Sequence, residues 1–115
     1  MNLTNVRNTL QESIRSRGHL AVDVRRARLR ALRRAISRKE PQINQALKAD
    51  LGKSSFESYA TEVGFILEEI SFILKNIDDW TRVRKVKTPL SLFPGKSYVH
   101  PEPYGVALII SPWNY

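Results

Sequence analysis

No cysteine occurs in the 115 residues, which excludes a disulfide framework, a thiolate zinc site and a thiol nucleophile supplied by this chain. Long apolar runs are also missing; none approaches the roughly twenty residues that cross a bilayer as a helix. The opening "MNLTNVRNTLQES" has no apolar stretch behind a basic start, so no secretory signal is expected and the cytoplasm is the default location. Glycine is scarce. Its five copies, at 18, 52, 64, 95 and 105, make neither a G-x-G-x-x-G turn nor a Walker loop. His19 and His100 lack the helical i, i+4 pairing of metal ligands and read as surface or turn residues, so no metal site is expected.

What is present is an ordinary globular composition, 42% hydrophobic and 26% charged, long enough for one domain or part of one. The net charge of +8 is unevenly placed. Residues 1–38 carry ten Arg against Glu12 and Asp23, while residues 39–115 hold nine basic and nine acidic side chains.

Leu3, Val6, Leu10 and Ile14 recur at steps of three and four, predicting an amphipathic helix that ends near Gly18. A second helix is expected from Asp23 as its cap, with Val24, Ala27, Ala31, Leu32, Ala35 and Ile36 on one face. Pro41 fits the first turn of a third helix, which would bury Ile43, Ala46, Leu47 and Leu51 and stop at Gly52. Ser54 and Glu57 match a capping box for a fourth and longest helix, along which Tyr59, Val63, Ile66, Ile70, Ile73, Ile77 and Trp80 lie at helical spacing. Residues 83–95 hold two prolines and no helical period, and read as a connector packing Leu90, Leu92 and Phe93 onto a neighbour. From residue 96 onward, β-branched and aromatic residues around Pro101, Pro103 and Gly105 predict an edge strand, a bend and a central strand. Val106–Ile110 does not alternate with polar residues, so that strand should be buried on both faces, as in a parallel sheet covered by helices.

Few groupings carry chemistry by themselves. Ser54 and Ser55 are better explained as caps than as members of a catalytic triad. Glu62 and Glu69 could share a helix face, but a solvated surface explains them better than an acid/base pair. Tyr59 and Trp80 read as core or subunit contacts. The cluster Arg25, Arg26, Arg28, Arg30, Arg33, Arg34 and Arg38 would suit nucleic-acid phosphates, though without interleaved aromatics a solvated or partner-facing surface is the better reading.

The last segment, "PEPYGVALIISPWNY", resembles the P-x-G-V-x-x-x-I-x-P-W-N-Y segment of the aldehyde dehydrogenase superfamily. "LRALRRAI", "ALKADLGKS", "YATEVGFILEEISFILKNIDDW" and "TPLSLFPGKSYVHPEPYG" resemble the N-terminal part of its class-3-like branch. The likeness covers essentially the whole chain, is specific from about Val24 onward, and corresponds to about the first quarter of a typical member. It implies an α/β fold: a helical layer over residues 1–82, a connector over 83–95, and over 96–115 the first strands of an incomplete Rossmann-like dinucleotide-binding domain.

The implied function is NAD(P)-dependent oxidation of an aldehyde to a carboxylic acid through a cysteine thiohemiacetal and thioester. Asn114 inherits the role of side-chain donor to the oxyanion. Ser111, Pro112 and Trp113 would line the cofactor crevice, and Tyr115 would border the substrate tunnel. NAD or NADP is the implied cofactor, an aldehyde the substrate, and a homo-oligomer, a dimer rather than a tetramer, the assembly. Without a cysteine or the family's later glutamate, this piece alone is expected to be inactive. The alternative from another class is a small basic helical module that binds nucleic acid through Arg25 to Arg38.

Overall fold

The computed structural model describes residues 2–111. It falls into two compact units. One is Ala21–Arg82; the other joins the residues up to Leu20 with those from Val83 onward.

The Ala21–Arg82 unit is helical. Helix α2 (Val22–Leu51) is a continuous 30-residue helix and is the longest among the described residues, a place the sequence had assigned to the helix after Ser54. Pro41 lies inside α2 rather than at the start of a separate helix. A proline in a helix interior removes one backbone hydrogen bond and crowds the preceding turn. Here that cost is overridden by packing, because one apolar stripe runs through it: Val22, Leu29, Ile36 and Ile43, seven residues apart, are all partly buried. Leu29 was not foreseen in this stripe. Val24, Ala27, Ala31 and Leu32, expected to be covered, are exposed, and so are Ala46 and Leu51. The expected Asp23 cap is also corrected. The N-cap is Ala21, without a side-chain bond, and Asp23 sits in the first turn, where it pairs with Arg26 at 3.4 Å.

Gly52 ends α2 in the left-handed conformation, φ 69° and ψ 10°, donating its N–H to the Lys48 carbonyl at 3.0 Å. Glycine adopts this conformation without the steric penalty of a Cβ. Ser54 then caps α3 (Ser55–Ser58), its Oγ accepting from the Glu57 N–H at 3.2 Å as expected. The expected single helix is broken by a π turn over Tyr59–Val63 before α4 (Gly64–Thr81). The π turn closes with the Gly64 N–H donating to the Tyr59 carbonyl. A Cβ on Gly64 would stand 2.8 Å from that oxygen and 3.0 Å from the Tyr59 ring, so the turn needs glycine there.

α4 packs along α2. The core is the seam Val63, Ile70 and Ile77, again spaced by seven, with Ser58 fully buried beside the turn. The predicted apolar set divides: these three are buried and Ile73 half-buried, while Tyr59, Ile66 and Trp80 remain exposed. Trp80 stacks edge-on against Phe72, ring centres 5.6 Å apart. Arg26 bonds Asp78 across the two helices.

The other unit contains α1 (Leu3–Arg17), capped by Asn2, whose side chain accepts from the Thr4 N–H at 3.0 Å, and stopped at Gly18. Its strands are β1 (Arg84–Val86) and β2 (Ser97–Val99), paired antiparallel with Lys85 opposite Tyr98. β2 agrees with the expected edge strand, whereas β1 falls where only a connector was expected. Between them lie a 3-10 turn (Leu90–Leu92) and a cis Phe93–Pro94 bond. Leu90, Leu92 and Phe93 are exposed, not packed on a neighbour. The short sheet is held at its loop end by the Ser97 N–H donating to Thr88 Oγ1 at 2.9 Å.

Candidate functional site

The predicted site clusters at the end of the sequence. Ser111 is exposed and outside any helix or strand; Pro112, Trp113, Asn114 and Tyr115 lie outside the described residues. The approach to them is the segment from Pro103 to Ile110. Gly105 takes φ +92°, turning the chain after the exposed Tyr104. Val106–Ile110, expected as a doubly buried central strand, is not paired with another strand among the described residues, and Leu108, Ile109 and Ile110 are 77%, 86% and 84% exposed. A strand buried on both faces needs flanking strands and covering helices. The two-stranded sheet formed by β1 and β2 supplies neither.

What this segment does meet is α1. Leu3, Val6 and Leu10, the apolar stripe read from the sequence, line a cavity of about 400 Å³ together with Val106, Ala107 and Leu108. Arg7 and Thr4 complete its wall. The lining is mostly hydrocarbon, with one cation at the rim, and offers no pairing of nucleophile with base. A second recess, of about 370 Å³, brings His19 near Arg7, Arg15 and Tyr104. His100 instead faces the Tyr98 ring edge-on at 6.3 Å. The two histidines thus sit in different surroundings.

The carboxylates considered from the sequence also separate. Glu62 forms an ion pair with Lys53 at 2.7 Å, which gives it a structural partner, and Glu69 is exposed. Ser54 is a helix cap. Among the described residues no group of three His, Cys, Asp or Glu gathers as a metal cage would, and no helix is long and apolar enough to cross a membrane.

Of the predicted site, the described residues thus include only Ser111 and the segment that leads to it. The chain's family affiliation is decided by comparison. The model of the aldehyde dehydrogenase family matches residues 6–115. The chain belongs to the aldehyde dehydrogenase family.

Within that family, it is 47% identical to the 4,4'-diaponeurosporen-aldehyde dehydrogenase of Staphylococcus aureus over 94 residues, 82% of this chain and 20% of that protein. It is 41% identical to aldehyde dehydrogenase family 3 member A2 of Mus musculus over 106 residues, 92% of this chain and 22% of that protein. A solved structure, the substrate-bound state of Staphylococcus aureus AldH, matches with a TM-score of 0.82 at 37% identity, covering 90% of this chain and 23% of that one. The chain thus spans about a fifth of the length of the curated relatives it matches. Those similarities account for the class-3-like character of the sequence.

Proposed function

We propose that this chain forms the N-terminal part of an NAD(P)-dependent aldehyde dehydrogenase that oxidises an aldehyde to a carboxylic acid. The observation that carries this reading is the family match running unbroken from residue 6 to residue 115, through the P-W-N-Y motif. In this reading the enzyme is cytoplasmic and a homo-oligomer, a dimer rather than a tetramer. Residues 96–115 open its Rossmann-like cofactor-binding domain.

Asn114 is the catalytic residue in this proposal. Its side-chain amide donates a hydrogen bond to the oxygen that becomes negative when a thiolate adds to the aldehyde carbonyl. A neutral amide suits that task, because no charge of its own must be desolvated and its dipole is set before the charge develops. The thiolate comes from outside these 115 residues, which contain no cysteine. Tyr115 would border the aldehyde.

The described residues do not by themselves grip a dinucleotide: the glycines form no phosphate-binding turn, residues 107–110 are exposed, and residues 106–110 pair with no strand among the described residues. NAD or NADP, as hydride acceptor, would touch this chain at Ser111, Pro112 and Trp113, the residues that carry the family motif.

The test compares the whole protein containing this chain with its Asn114→Ala variant, following reduced nicotinamide formed from an aldehyde. Loss of one oxyanion donor should lower kcat by roughly 10²–10³, about 2.7–4 kcal/mol. Unchanged kcat would refute the role given to Asn114; no turnover by the unaltered protein with any aldehyde would refute the reaction.

A further inference from the structure

On the side of α2 that meets Ser71, Arg30, Arg33 and Arg34 stand at i, i+3 and i+4, a spacing that puts all three on one helix face. With Ser71 and Leu74 of α4 they line a shallow recess of about 340 Å³. Arg33 is held in place. Its Nε donates to Ser71 Oγ at 3.2 Å, and the Ser71 hydroxyl donates in turn to the Leu67 carbonyl at 2.7 Å. With Nε occupied, the two Nη groups of Arg33 remain for a ligand.

No ion pair among the described residues includes Arg30, Arg33 or Arg34. Asp23 and Asp78 pair with Arg26, Glu62 with Lys53, and Asp79 with Arg82, and no carboxylate lines the recess. Glu68 borders the adjoining recess, which shares Arg33 and Ser71, but does not line this one. Three uncompensated cations on one face repel one another and weaken the helix. An anion seated among them removes that repulsion.

We propose that Arg30, Arg33 and Arg34, set by Ser71, form a binding site for a phosphate-bearing anion. A phosphate group offers several charged oxygens to forked N–H donors and can engage more than one guanidinium at once. The recess has no aromatic side chain on which a base could stack, which separates this chemistry from single-strand nucleic-acid recognition. Free phosphate compounds and lipid headgroups share the chemistry.

The experiment titrates the whole protein containing this chain with inorganic pyrophosphate by calorimetry and, in a second arm, with vesicles containing phosphatidic acid or only phosphatidylcholine. Saturable binding of pyrophosphate, or of phosphatidic acid vesicles alone, supports the site and tells the two sources apart. The combined Arg30→Gln, Arg33→Gln and Arg34→Gln variant should bind at least tenfold more weakly, and Ser71→Ala several-fold more weakly. A charge-matched variant with Arg7, Arg15 and Arg17 changed to Gln should bind as the parent does. Circular dichroism verifies that each variant is folded. Absence of saturable binding in both arms overturns the proposal. So does equal weakening in the two charge-matched variants, or preferential binding of duplex DNA that both lose alike.

Discussion

Lys53 Nζ lies 2.7 Å from Glu62 Oε1 and 3.3 Å from Thr61 Oγ1, joining the loop after α2 to the π turn that precedes α4. The Lys53 side chain is 15% exposed and that of Glu62 37%, so the pair is only partly shielded from solvent. Glu62→Gln should therefore lower stability by roughly 1 kcal/mol, and a double-mutant cycle with Lys53→Met should give a coupling of about 0.2–1 kcal/mol. Urea unfolding followed by circular dichroism measures both. A coupling of zero would mean that the contact contributes nothing.

Gly64→Ala provides a test of opposite signs. Helix propensity alone favours alanine by about 1 kcal/mol. The added Cβ, however, would meet the Tyr59 carbonyl at 2.8 Å, and overpacking of that kind costs about 1–3 kcal/mol. The variant should unfold at lower urea concentration than the parent; a more stable variant would show that the π turn can relax without cost.

Pro41→Ala should have the reverse effect. Pro41 is exposed and interior to α2, so its replacement restores a backbone donor without removing core volume. Interior proline is about 3 kcal/mol worse than alanine in a helix, and a gain of about 1–3 kcal/mol is expected. Thermal unfolding would contradict the continuous α2 if the alanine variant melted lower.

The two candidate caps should respond differently. Ser54 bonds the Glu57 N–H at 3.2 Å, and Ser54→Ala should cost about 1 kcal/mol. Asp23 caps nothing and is an exposed partner of Arg26, so Asp23→Ala should stay within about 0.5 kcal/mol. Equal losses in chemical denaturation would argue against the distinction.

Elements whose determinants are local were legible in the sequence. α1, the stop at Gly52, the Ser54 cap and the Val63, Ile70, Ile77 seam each follow from a short pattern that the structure retains. Errors arose where distant partners decide. Pro41 looked like a helix start because local rules favour it there, yet the stripe that continues from Ile36 to Ile43 keeps α2 whole. With Leu29 included, that stripe is a seven-residue repeat from Val22. The apolar character of Leu90 and Phe93 predicts a neighbour that the described residues do not provide. The candidate site rests on the P-W-N-Y motif alone, since Asn114 has no local physical signature separating a turn residue from an oxyanion donor. Arg33 with Ser71 could not be read from sequence at all, because the two residues belong to different helices.

The π turn also fixes the rotational phase of what lies on either side of it. One residue more than α-helical winding requires is held between Tyr59 and Gly64, and each residue turns a helix by about 100°. Loss of one residue within 59–63 could be absorbed by rewinding that turn into ordinary α-helix. The same loss between 71 and 76 would swing Ile77 away from the line of Val63 and Ile70, and part of the seam would face water. A single irregular turn thus gives this helix one place where its length can change while its buried edge keeps its bearing.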